Sequence, residues 1–144
     1  MKKIRLMATA LFLITTVLLH AETYTIDATQ NCLFLNQAEN NIPQKSVKIK
    51  LEMNTRYRVD ISGDCFYSGQ SGRDADYMSG VVLFYCTNEE DGFKSVYTVL
   101  KSGQSIEFTT PNEEPQNLFL IAFVMDYWPE SQNRGSYTLK VNKI

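Results

Sequence analysis

From residue 22 onward, the apolar residues of this chain recur at every second position, not at every third or fourth. Val47-Lys48-Ile49-Lys50-Leu51 and Tyr57-Arg58-Val59-Asp60-Ile61 both alternate strictly. A period of two places one set of side chains on a core and the other in water, which is the pattern of a half-buried strand. Amphipathic helical periodicity is nearly absent. The runs at 81–85 and 118–125 are apolar on both parities, so they are expected as central strands covered on both faces. Short β-branched and aromatic runs separated by turn residues predict strands at 23–27, 32–35, 47–51, 57–62, 81–86, 95–100, 105–108, 118–125 and 136–141. Asp91-Gly92 and Ser102-Gly103 supply turns, and Asp-Gly is a strong hairpin signal. Pro111 and Pro115 mark a surface connection, because proline cannot donate to a central ladder. About nine short strands predict an all-β fold, an antiparallel two-sheet β-sandwich of the jelly-roll kind.

The N-terminus reads differently. Lys2, Lys3 and Arg5 precede an apolar run at 6–19, and Ala21 is a small residue suited to cleavage. This is the layout of a secretory signal peptide over residues 1–21, leaving a single domain at 22–144 in a secreted or periplasmic protein. No second apolar run is long enough to span a bilayer. Losing Lys2, Lys3 and Arg5, and no acid, takes the formal charge from −2 to −5. An acidic chain is poorly suited to nucleic acid, whose binding rests on neutralising phosphates. His20, the one histidine, falls in the signal segment, which removes histidine-based catalysis and typical zinc sites from the mature chain. Cys32, Cys65 and Cys86 form an odd set. Export permits a disulfide among them, with one thiol left over, and spacing does not choose the pair.

Chemistry concentrates in the loop at 126–135. The apolar strand before it ends on Asp126, and Glu130, Ser131, Gln132 and Asn133 follow. Hard cations such as calcium take six to eight oxygens from carboxylates, amides and backbone carbonyls, and this loop offers all three. Tyr127 and Trp128, the one tryptophan, lie beside the oxygens. Sugar rings lay their C–H faces on such side chains, although both residues also serve as packing anchors. Neighbouring residues on a strand point opposite ways, so one of the pair, Trp128, is the better ligand-facing candidate. The long connection at 63–80 carries four of the seven glycines together with Asp64, Asp74 and Asp76. Asp74 and Asp76 are candidate ligand-binding residues, and equally a solvated turn. No nucleophile elbow, Cys–His pair or phosphate loop is present, and although Asp126 with Asp76 or Glu130 could be forced into the role of a glycoside-hydrolysing pair, nothing in the spacing demands it. A non-enzymatic protein is expected.

The residues at 57–67, then Asp74-Ala75-Asp76-Tyr77 before the strand from Ser79-Gly80-Val81, then Val124-Met125-Asp126 with Asn133-Arg134-Gly135-Ser136-Tyr137, occur in a familiar order. In that order the chain resembles the calcium-dependent galactose-binding bacterial lectins of the LecA (PA-IL) type and related secreted β-sandwich modules. The resemblance covers roughly residues 47–143. It implies a calcium ligand set in which Tyr67 gives a backbone carbonyl, Asp126 a carboxylate and Asn133 an amide oxygen. Gln132 or Glu130 would replace other loop ligands. It also implies that the ion itself binds sugar hydroxyls. This chain departs from the pattern in three ways: its loop is about one residue shorter, the paired asparagines are replaced by Gln132-Asn133 or Asn133-Arg134, and the sugar-contacting histidine is absent. The expectation is an exported carbohydrate-binding module that uses calcium. The alternative is an ion-free protein-interaction module, such as an inhibitor or envelope component.

Overall fold

The computed structural model describes residues 21–35, 45–67, 80–89, 92–112, 118–126 and 133–144. Nine strands run through these residues: β1 (Ala21–Asp27), β2 (Cys32–Phe34), β3 (Val47–Lys50), β4 (Arg56–Phe66), β5 (Val81–Glu89), β6 (Gly92–Leu100), β7 (Ser105–Thr109), β8 (Phe119–Asp126) and β9 (Arg134–Lys143). Every strand expected from alternation is present. They form a four-stranded sheet in the order β1-β9-β4-β7 and a five-stranded sheet in the order β2-β8-β5-β6, with β3 also paired to β8. No helix of the described residues is long and apolar enough to cross a membrane.

Burial follows the period of two. In β4, Tyr57, Val59 and Ile61 point inward while Arg56 and Arg58 face water. The inward sets of both sheets meet in one cluster, with Val59, Val81, Leu83, Leu120, Ala122, Val124 and Leu139 all fully buried. As expected, β8 and β5 are central. Leu120, Ala122 and Val124 face the shared core, and Phe123 on the opposite face packs with Leu33 and Val82 in a second cluster.

Three details depart from the sequence reading. First, the sandwich is not wholly antiparallel. β2 pairs with the end of β8 in parallel, Cys32 opposite Val124 and Phe34 opposite Asp126. β3 pairs antiparallel with the beginning of β8, Val47 opposite Ala122. Second, β4 does not stop at Ser62. Gly63 has φ of +87° and Gly135 has φ of +88°, where glycine carries no steric penalty. A Cβ on Gly63 would meet the Ser136 carbonyl, and one on Gly135 the Asp64 carbonyl. These two glycines let β4 and β9 approach closely and keep pairing as far as Phe66–Arg134. Third, the expected disulfide is not formed, and all three cysteines are free. Cys32 and Cys65 face the common core from opposite sheets. Cys86, half-buried, sits opposite Ser95, with its Sγ 3.8 Å from Ser95 Oγ.

Candidate functional site

The long ladder between β4 and β9 brings the end of β4 beside the end of β8. Tyr67, the residue after β4, donates its phenol hydroxyl to the Met125 carbonyl at 3.0 Å. Asp126 closes β8 and is 7% exposed. Its backbone carbonyl accepts the Leu35 N–H at 2.8 Å, which extends the parallel pairing with β2 past Phe34. Across the rim, Asn133 precedes β9 and is 4% exposed. Its side-chain Nδ2 donates to Cys32 Sγ at 3.5 Å. Its Oδ1 is buried and has no hydrogen-bond partner, a condition shared among the described residues only by Ser46 Oγ. The local frame is firm. Gly135 gives its carbonyl to Ala28 N–H at 3.1 Å, and Asn31 gives its own to Val124 N–H at 2.9 Å.

Electrostatics tie the same residues together. The Cys32 thiol is pushed up to about 11, first by burial and then by the Asp126 carboxylate. The Asn133 hydrogen bond and the Lys45 ammonium act in the opposite direction. Asp126, Asn133, Lys45 and Cys32 therefore share one corner. Two cations flank the corner on aromatic rings: Lys45 Nζ stands 4.6 Å from the Phe34 centroid, and the Arg134 guanidinium 5.6 Å from that of Phe66.

Of the residues singled out in the sequence, Tyr67, Asp126 and Asn133 are thus brought together. Tyr67 is held through its phenol, whereas the resemblance assigns a role to its carbonyl. Asp74, Asp76, Tyr127, Trp128, Glu130 and Gln132 lie outside the described residues. Sequence reasoning missed two members of the corner, Cys32 and Lys45. Cys32 lies 101 positions from Asn133 in the chain, and only the parallel pairing of β2 with β8 puts it there. Among the described residues, no three His, Cys, Asp or Glu side chains gather as a metal cluster. A cation held here would draw on one carboxylate, the Asn133 amide oxygen and backbone or loop oxygens. That oxygen set is the one a hard ion takes, and the buried, unpartnered Asn133 Oδ1 fits it.

Comparison of the chain with protein-family models and with curated proteins returns no match. The lectin resemblance therefore rests on the quoted motifs alone.

Proposed function

We propose that this chain is an exported, non-enzymatic β-sandwich that holds calcium at the β8–β9 corner and binds carbohydrate through it. The observation that carries this reading is Asn133 Oδ1, an acceptor buried without a donor near the buried Asp126. Leaving such an atom unsatisfied costs about 1–3 kcal/mol, and each case in a folded protein calls for an explanation. A bound cation supplies one. Asp126 contributes the charge, Asn133 a neutral oxygen, and Glu130 or Gln132 further oxygens from the loop. Trp128 offers the stacking face for the sugar.

The test is glycan binding on an array, with calcium and then with chelator. Binding should fail in chelator and return when calcium is restored. Asp126→Asn keeps the size and one oxygen but removes the charge, so it should abolish binding. Trp128→Ala should weaken glycan binding while leaving the response to calcium intact. Glycan binding that ignores both chelator and Asp126→Asn would reject the reading.

One observation favours a second reading, an ion-free protein-interaction module. On the outer face of β6, an edge strand, Tyr97 is 73% and Val99 47% exposed. Tyr97 packs on Phe84 of β5 at 4.6 Å between ring centroids. An open edge with exposed apolar side chains suits strand addition by a partner. A partner that binds equally in chelator, and is lost with Tyr97→Lys, would support this second reading.

A further inference from the structure

At the other end of the sandwich, where β7 lies over β5 and β6, a cleft of about 480 Å³ opens between the sheets. Its lining combines Tyr85, Val96 and Phe108 with Arg56, Thr87, Glu107 and Thr109. Ligand sites commonly occupy about 300–1,000 Å³, with an apolar floor and a few convergent polar groups. The floor is an aromatic column. Phe108 stacks on Tyr85 at 4.2 Å between centroids and on Tyr57 at 5.9 Å. The rim carries one charge of each sign, joined as a pair, with Arg56 donating to Glu107 at 2.7 Å. Arg58 reaches the other Glu107 oxygen at 3.5 Å. Thr87 donates its hydroxyl to the Thr109 carbonyl at 3.0 Å, stitching β5 to β7 at the cleft wall.

Tyr85 is the residue this packing does not explain. It is 7% exposed, yet among the described residues its hydroxyl has no hydrogen-bond partner, whereas Tyr57 and Tyr67 both use theirs. Burial raises its pKa above the ordinary value, with no contribution from a hydrogen-bond partner or a charge. Buried tyrosine hydroxyls ordinarily find a partner. The Tyr85 hydroxyl is not sealed within the protein, and the open space that the residue lines is this cleft.

We propose that the cleft is a second binding site, independent of any cation, for a neutral saccharide ring. The ligand class follows from the lining. The paired Arg56 and Glu107 cancel, so an ionic ligand would have to break the pair to gain one member. A polyol accepts from the guanidinium and donates to the carboxylate while leaving the pair in place. The Tyr85 and Thr109 hydroxyls each donate and accept, as sugar hydroxyls do. Val96 and the Phe108 edge meet the apolar C–H face. The site shares its ligand class with the β8–β9 corner but none of its residues, and it stands or falls separately.

The experiment is a chemical-shift titration of the mature protein in chelator, using lactose, cellobiose and maltose as probes. The expected result is saturable shifts at Tyr85, Thr87, Val96 and Thr109 for at least one disaccharide, unchanged in Asp126→Ala. Tyr85→Phe should weaken this binding about fivefold or more, the loss of one hydrogen bond. The same variant should melt no lower than the native protein, because the hydroxyl it removes has no partner in the fold. Glu107→Gln should weaken binding as well. Three results would overturn the proposal: no saturable shift for any probe in chelator, full affinity in Tyr85→Phe, or binding that needs calcium and disappears in Asp126→Ala. The last would assign the sugar to the β8–β9 corner alone, and sugar binding that is the same in calcium, in chelator and in Asp126→Ala would leave the cleft standing without the corner.

Discussion

β4 has two very different ends. Its eleven residues span roughly 33 Å at the rise of a strand. Where it begins, polar residues are exposed and paired by charge: Arg56 with Glu107, Arg58 with Asp60 at 2.9 Å, and Lys143 with Glu52. Where it finishes, polar groups are buried or half-buried and mostly uncharged: the half-buried Tyr67 hydroxyl, the Asn133 amide and the Cys32 thiol, with Asp126 the one acid among them. Exposed pairs of this kind contribute about 0–1 kcal/mol each, because water and salt screen them and their long side chains lose freedom. Buried polar groups are costly when any of them lacks a partner. The charged end is therefore cheap to alter, and the buried end is where sequence changes carry weight.

The contrast can be broken most severely at glycine. Gly135→Ala forces a side chain at φ of +88° into the Asp64 carbonyl, at the base of the buried corner. A loss of about 3 kcal/mol is expected in denaturant unfolding. Gly103→Ala has a similar φ of +81° but nothing within 4 Å of its new Cβ. It should cost about 1 kcal/mol. Equal losses would mean that backbone strain, and not close approach of β4 to β9, sets the requirement.

Next is the hydroxyl that ties β4 to β8. Tyr67→Phe leaves the Met125 carbonyl without its donor and should cost about 1 kcal/mol. At the other end, Arg58→Ala removes contacts to Asp60, Glu107 and Ser105. Despite losing three contacts against one, it should change stability by no more than about 0.5 kcal/mol at physiological salt. A larger loss for Arg58→Ala than for Tyr67→Phe would reverse the argument.

The smallest effect is a pH dependence. Asp27 closes the turn after β1, accepting from the Thr29 hydroxyl at 2.6 Å, Thr29 N–H at 2.8 Å and Gln30 N–H at 2.9 Å. The Thr29 side-chain bond, then the two backbone bonds, hold its carboxyl below the usual value of 3.8. A carboxyl depressed in the folded state contributes stability above its unfolded value, and that contribution fades as pH falls through the folded value. Asp27→Asn should therefore destabilise at pH 7 and make little difference below pH about 3. Melts at the two pH values check the sign.

How much of this was legible in the sequence follows from what each feature depends on. Strand positions depend on local alternation, so Val47–Lys50 and the inward Tyr57, Val59 and Ile61 could be read directly. The end of β4 could not. Gly63-Asp64 has turn composition, and only the partner strand shows that Gly63 serves close approach. The parallel placement of β2 was hidden for the same reason, since three residues carry no directional signal. At the candidate site, Asp126 could be placed at a strand end because the apolar run stops there. A grouping with Tyr67 and Asn133 was implied only by the lectin resemblance. The contribution of Cys32 was not, because a contact between sheets leaves no trace in spacing. Thr110 was likewise missed. It is fully buried, and its hydroxyl serves both Thr55 N–H and the Glu52 carbonyl, a purely tertiary arrangement.

The central claim is that the buried corner is built to hold a cation. The most direct measurement is the thermal melt of the protein in calcium and in chelator, beside Asp126→Asn and Asn133→Ala. A ligand that binds only the folded state stabilises by RT ln(1 + [L]/Kd), about 2.7 kcal/mol at a hundredfold excess over Kd. For a chain of this size, that raises Tm by about 5 °C or more. The account predicts that shift in the native protein and its loss in both variants, each variant being read against its own melt in chelator because Asn133→Ala also loses the Nδ2 bond to Cys32 Sγ. Superimposable melts of the native protein in calcium and in chelator would contradict it.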